Sequence, residues 1–454
     1  MKSKELLKKE GKEVFGILNM FKNRNFIGYT GLAVKNSTYQ FLTTGIAKAG
    51  SLIFTIIIAR MLLPELFGLY SLALSTIIIF ASFSDLGISQ ALTRYVSQFL
   101  EKNKKEKAKA YLVYLAKVKL LLIIAASTLL IILARFISNY YYHQPISLAL
   151  VAGSLYILSL GFISVADATF FASNKFKYPM YKEILFQVLR LIFVPLAILL
   201  TISSSLAQDT LFWIISALAG AYLVSLIYIL ILMRKKISFV HEKSYNLSKQ
   251  EKKSLWVFIF PLSATVLSGV FFGYIDIVML GRYVLPEFIG YYKAAFSLIG
   301  GLIPIISFAP ALFPLFSRLK GKRLERGFKK SMKFMLWLSV LTLIGTLIFS
   351  GLAIRIVFGT EYSQASSILR ILSVLLLCIP ISMLYESYFI SQGKTKLIAV
   401  LLWLSTFINI ILNYIFITWL VQYSYFLAVV GAAVATIISR YFYLFGLMIY
   451  RKKL

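Results

Sequence analysis

Lys48, Arg190 and Lys293 stand inside long apolar runs, and Asp276, Arg370 and Arg440 do the same. An ionisable side chain at membrane depth is costly and generally faces a bundle interior, a water-filled cavity or a partner of opposite charge. Lys48 precedes Arg60 by roughly 18 Å at 1.5 Å per residue, which puts it near the middle of a span. A long basic side chain close to a span end can snorkel to the interface. That reading fits Arg370 best and Lys48 least, and it stays open for Arg190, Lys293 and Arg440. The deep charges lean basic, and a basic cleft with low-dielectric walls attracts an anionic head group such as phosphate. Lys48, Arg190 and Lys293 are therefore the expected cavity residues. Asp276 is too short to snorkel far. It must pair with a base such as Lys48 or Lys293, bind a cation, or stay protonated, and its functional reading is a coupling site for Na⁺ or H⁺. Asp85, Asp167 and Glu386 lie toward span ends, where interfacial Lys or Arg can pair with them.

Other chemistries find no footing. The chain has no GxxxxGK[ST], HExxH or GxSxG motif. His143 and His241 are isolated and Cys378 is single, so neither a metal site nor an internal disulfide is expected. No cofactor and no covalent catalysis are expected. The formal charge of +31 invites a nucleic-acid partner. The basic residues lie instead in short clusters between apolar runs, as the positive-inside bias produces.

The elements that must position these residues are membrane helices. Of 454 residues, 59% are apolar and only 14% charged, against about 25% charged in soluble domains. About twelve runs are long enough to span roughly 30 Å of hydrocarbon, and only helices satisfy their own backbone there. They fall near 38–62, 66–90, 111–134, 146–172, 182–202 and 210–233, then 255–281, 288–313, 331–354, 365–391, 396–419 and 425–449. One set of connections carries nearly all the lysine and arginine. The other holds only Arg60, Arg135, Arg282 and Arg355. The lysine-rich set and both termini are expected to be cytoplasmic. Residues 1–36 form a basic segment in which Val14, Phe15, Ile17, Leu18 and Phe21 share one helical face suited to a membrane surface. Residues 234–254 are a polar cytoplasmic linker between 37–233 and 255–454. Leu92, Tyr95, Val96, Phe99 and Leu100 make an amphipathic helix expected to anchor in the inner leaflet, with Ala311–Leu319 as a weaker counterpart.

The two halves are related. Arg60–Tyr70, RMLLPELFGLY, recurs as Arg282–Tyr292, RYVLPEFIGYY. Arg60, Leu63, Pro64, Glu65, Gly68 and Tyr70 reappear as Arg282, Leu285, Pro286, Glu287, Gly290 and Tyr292. In each copy a Pro and a Gly punctuate a tight connection, and a Glu stands at the helix start. Six spans per half give both halves the same orientation, so their repeat axis runs along the membrane normal.

The segment from Ala59, Arg60, Leu63, Pro64, Glu65, Phe67, Gly68 and Tyr70 to Asp85, Leu86, Gly87 and Arg94 resembles polysaccharide-biosynthesis membrane proteins. These are Wzx-like lipid-linked oligosaccharide flippases of the multidrug/oligosaccharidyl-lipid/polysaccharide (MOP) exporter superfamily. Tyr274–Leu298, Asn409–Tyr414 and Gly431–Ser439 are similar to later segments of the family. The resemblance implies an all-α integral membrane fold of about twelve helices in two six-helix lobes related by pseudo-two-fold symmetry. It implies a plasma-membrane flippase that moves an isoprenoid-(pyro)phosphate-linked oligosaccharide outward by alternating access. Its partners would be the lipid-linked glycan, membrane lipid, Na⁺ or H⁺, and a polysaccharide polymerase or glycosyltransferases. The rivals are a cation-coupled multidrug exporter, which calls for deep acids, and a membrane-embedded glycosyltransferase, which calls for long outer loops.

Overall fold

The computed structural model describes residues 28–201, 206–309, 312, 316, 319 and 321–452. The apolar face of residues 1–27 and most of Ala311–Leu319 lie outside the described residues. The helices are α1 (Gly28–Ser82), α2 (Ile88–Glu101), α3 (Lys105–Arg135), α4 (Ser147–Ala172), α5 (Lys177–Thr201) and α6 (Ala207–Lys236). They continue with α7 (Lys249–Tyr283), α8 (Pro286–Ile306), α9 (Gly321–Val357), α10 (Ala365–Leu372), α11 (Leu375–Ser391), α12 (Thr395–Leu420) and α13 (Tyr425–Lys452). Among the described residues, eleven helices are long and apolar enough to cross a membrane.

The first of the eleven contains two expected spans. α1 runs 55 residues but breaks at Leu63, whose φ of 59° and ψ of 172° are not helical. Pro64 forces the break, since a residue before proline is pushed out of the α region. Proline itself sits without cost where the second segment begins, because its missing N–H is an orphan there anyway. The second copy turns differently. Val284 and Leu285 are extended, and Pro286 opens α8. The same proline logic thus yields two backbones, one of them with Leu63 in a region that L residues rarely occupy.

The second span is shorter than expected, because α1 ends at Ser82. The turn that follows uses Leu86 (φ 43°) and Gly87 (φ 84°). Asp85 accepts from both the backbone N–H and the hydroxyl of Ser89, at 3.4 and 2.6 Å. The Asp-Leu-Gly motif is therefore a helix-start turn. The helix it starts, α2, differs from expectation. Its apolar face is spent on protein, with Leu92 and Val96 fully buried against α3 and α4.

The expected tenth span is divided between α10 and α11. α4 packs on α6, α6 on α5, and α1 on α5; later in the chain α12 packs on α13 and α7. The largest seam between early and late helices joins α1 to α8, where the two motif copies meet. The lysine-rich loops define one face of the molecule and the motif copies the other. On the motif side a single buried core runs through both sequence halves, including Phe67, Tyr70, Tyr292 and Tyr362. On the lysine-rich side the core divides. One cluster gathers Ile88, Leu115, Phe170 and Phe239, and another gathers Phe316, Phe328, Tyr385 and Tyr388. The halves thus share packing toward one face and separate toward the other. α7 straddles the division: Leu255 and Ile259 sit in the early cluster, while Asp276 faces α12 and α13.

Candidate functional site

α5 carries Arg190 into the interior, 8% exposed. Its guanidinium lies 4.6 Å from the Phe54 ring centroid and 5.1 Å from that of Phe186. Phe186 packs on Tyr222 at 3.9 Å and Tyr222 on Tyr156 at 4.9 Å. No carboxylate pairs with Arg190 among the described residues, and its Nε and Nη2 have no hydrogen-bond partner. Nearby, the buried Tyr70 hydroxyl and Gln187 Oε1 are also unpartnered. Gly50 lets Gln187 pack closely, because a Cβ there would lie 2.3 Å from Oε1. A buried cation with free N–H groups is rare enough to require an explanation.

Lys293, on α8, is half-buried and without a carboxylate partner among the described residues. Its Nζ is 5.7 Å from the Tyr274 ring centroid. Tyr274 lies within electrostatic reach of Tyr70, Tyr156 and Tyr222. Arg190 and Lys293 therefore approach one aromatic cluster from opposite sequence halves. Lys48 is exposed. Of the other deep bases, Arg370 is exposed and donates to Ser350 Oγ at 2.7 Å. Arg440 stacks on Phe272 at 3.7 Å.

Asp276 forms the second polar centre. Neither Lys48 nor Lys293 pairs with it, so of the alternatives open to it the ion pair with those lysines is absent and its hydrogen bonds come from neutral donors. Oδ2 accepts from the hydroxyls of Tyr292 (2.6 Å) and Thr436 (2.5 Å), and Oδ1 accepts from Asn413 Nδ2 (2.8 Å). Asn409 donates to Thr436 and Ser439. The side-chain carbonyl oxygens of Asn409 and Asn413 are buried without a partner. Asp276 thus lies among hydroxyl and amide donors, with the Arg440 guanidinium within electrostatic reach.

Asp85 and Asp167 have partners that the sequence does not announce. Lys119, fully buried, pairs with Asp85 and donates to Ser89 Oγ at 2.8 Å and to Ser164 Oγ. Lys182 pairs with Asp167 at 3.0 Å and with Glu183 at 3.3 Å. Glu386 accepts from the Tyr443 hydroxyl at 2.9 Å. The motif residues gather at helix starts and at contacts between the halves. Arg60 and Arg282 bond backbone carbonyls across the seam. Pro64, Glu65, Pro286 and Glu287 sit at helix starts, while Gly68 and Gly290 lie in the seam. Arg94 stacks on Phe258 of α7 at 4.4 Å. Asn409 and Asn413 carried one readable signal: two amides four residues apart share a helical face in an apolar run.

The family model described as polysaccharide biosynthesis protein matches residues 33–320, and the model described as MatE matches residues 261–415. The chain is 21% identical over 429 residues to the uncharacterized membrane protein MJ1068 of Methanocaldococcus jannaschii, covering 90% of this chain and 82% of that one. The fold superposes on the lipid II flippase MurJ in its inward closed conformation with a TM-score of 0.67. Identity there is 16%, over 90% of this chain and 87% of that one. It superposes on an inward-facing multidrug resistance MATE family transporter of the MOP superfamily with a TM-score of 0.66. Identity is 14%, over 90% and 97% of the two chains. The all-helical MOP fold expected from the sequence is the observed one.

Proposed function

The chain belongs to the polysaccharide biosynthesis protein family, and from that premise we propose that it flips an isoprenoid-(pyro)phosphate-linked oligosaccharide from the cytoplasmic to the outer leaflet. One observation carries this reading: the Arg190 guanidinium is buried among aromatic rings with an N–H edge open and, among the described residues, no carboxylate in salt-bridge contact; Glu183 acts on it only at longer range. That edge presents Nε and Nη2 side by side, which suits two oxygens of one phosphoryl group. Lys293 supplies a second positive charge from the other half, and Lys48 a third nearer the lysine-rich side.

On this reading the lysine-rich face and both termini are cytoplasmic and the membrane is the plasma membrane. Residues 37–233 and 255–454 form lobes joined by 234–254. The head group enters between the lobes while the lipid tail stays in the bilayer. Asp276 binds Na⁺ or H⁺ as the lobes rock, with Asn409, Asn413 and Thr436 completing the site. One charge moved through 100 mV supplies about 2.3 kcal/mol, enough to tilt a conformational equilibrium balanced to a few kcal/mol. A polymerase or glycosyltransferases would work beside it.

The match to the MatE model favours a second reading, a cation-coupled multidrug exporter. It requires acids where the cargo binds; Asp276 is a deep acid with no salt bridge among the described residues, but it sits among hydroxyl and amide donors, whereas the aromatic cluster carries Arg190 and Lys293. Reconstitution into vesicles with a lipid-linked glycan tests the choice. Transport that falls at least tenfold in Lys293→Ala supports the flippase. Transport unchanged in Lys293→Ala and in Arg190→Ala removes it.

A further inference from the structure

The two motif arginines make the same contact in mirrored directions. Arg60, on α1, donates Nε to the carbonyl of Val357 at 2.8 Å and Nη2 to the carbonyl of Ile356. Val357 is the last residue of α9. Arg282, in the last turn of α7, donates Nη1 to the carbonyls of Tyr141 at 2.8 Å and Tyr140 at 3.3 Å. These residues belong to the π-helical turn Phe136–Tyr142 that closes the third span. In both cases the acceptors are end-of-helix carbonyls, which lack intrahelical partners and carry the negative end of the helix dipole. In both cases the arginine reaches from its own sequence half to the other. Tyr362 adds a parallel bridge, its hydroxyl donating to the carbonyl of Ala59 at 2.7 Å.

Each motif also carries a carboxylate five residues after its arginine. Glu65 and Glu287 form no ion pair with Arg60 or Arg282 among the described residues. A guanidinium paired with a carboxylate in the same half would be indifferent to how the halves sit. One that bonds the other half's carbonyls is sensitive to nothing else. Arg60 is also exposed, so its charge stays hydrated whether or not the contact is made. Parting the halves therefore leaves no buried charge behind.

We propose that Arg60 and Arg282 are reciprocal latches that hold the motif side of the molecule shut, each engaging the end of the other half's third span. Both latches must open before the interior can face outward. The inference rests on the alternating-access reading, but its readout is a distance measured without substrate, so it can fail or hold independently of glycan transport.

The test is a pulsed electron spin resonance distance between nitroxides at Leu148→Cys and Tyr423→Cys in the purified full-length chain. Both positions are exposed on the motif side, Leu148 at the start of α4 and Tyr423 in the turn between α12 and α13, and native Cys378 is buried. Arg60→Ala and Arg282→Ala should each raise the ratio of long to short distances roughly tenfold, in line with one lost charge-assisted contact. The double variant should go further, and Arg→Lys at either site should fall between. A folded double variant with an unchanged distance distribution overturns the proposal. If the alanine variants do not fold, unchanged distances in both lysine variants overturn it equally.

Discussion

Gly68 and Gly290 hold equivalent places in the two motif copies, and each lies against the other copy's proline carbonyl. A Cβ on Gly68 would sit 1.8 Å from the oxygen of Pro286, and one on Gly290 would sit 2.2 Å from the oxygen of Pro64. The contact is self-reciprocal, as at an isologous interface about a two-fold axis. The sequence repeat is therefore also a packing repeat, and its axis passes through this crossing.

Gly68→Ala and Gly290→Ala should each lower stability by about 2 kcal/mol or more, because the obstructing atom is backbone and cannot rotate away. Gly300→Ala is the control. It lies on the same helix as Gly290 with nothing within 4 Å of its Cβ position. It should be neutral or mildly stabilising. Thermal unfolding in detergent reads the difference.

Lys119→Met should cost about 2 kcal/mol, since it leaves the half-buried Asp85 carboxylate without its cation, with water offsetting part of the loss. Lys119→Met combined with Asp85→Leu should recover much of that loss, because a buried pair is often replaceable by apolar groups. The same unfolding assay checks the cycle. A double variant no better than the single one would show that Asp85 matters mainly as the cap on Ser89.

Asp276→Asn keeps the shape of the carboxylate and most of its hydrogen bonds but removes its charge. It should leave the protein folded and abolish the response of transport to a Na⁺ or pH gradient. Thr436→Ala should weaken that response without abolishing it. Gradient-dependent transport in proteoliposomes measures both, and a full response in Asp276→Asn would move ion coupling elsewhere.

Arg190→Ala should reduce glycan transport more than Lys48→Ala, because Arg190 is enclosed in the aromatic cluster and Lys48 is exposed. Arg190→Lys should be intermediate: it keeps the charge but loses the two-pronged edge. Arg370→Ala should have little effect, as its guanidinium is already exposed and bonded to Ser350.

The helices were legible in the sequence because hydrocarbon admits no alternative for an apolar run of that length. The repeat was legible because Arg60–Tyr70 and Arg282–Tyr292 share residues that only a turn and a close crossing demand. The partners of buried charges were not. Lys119 stands eight residues into the expected 111–134 span, where it was not singled out, and its acid stands 34 residues away in the turn after α1. Asp276 could be singled out as a deep acid, yet its neighbours Asn409, Asn413 and Thr436 come from helices whose placement no local pattern encodes. The α2 helix shows the same limit. Amphipathicity identified the helix, but lipid and protein are equally apolar to Leu92, and only the fold chose between them.

The central claim is that the interior selects an anion through Arg190 and Lys293. Its most direct test is equilibrium binding of the purified protein to a polyprenyl-pyrophosphate-linked sugar and, separately, to a lipophilic organic cation. The account predicts that the anionic lipid binds, that Arg190→Ala weakens it at least tenfold, and that the cation does not compete. Tight binding of the cation, with the lipid's affinity untouched by Arg190→Ala, would contradict it.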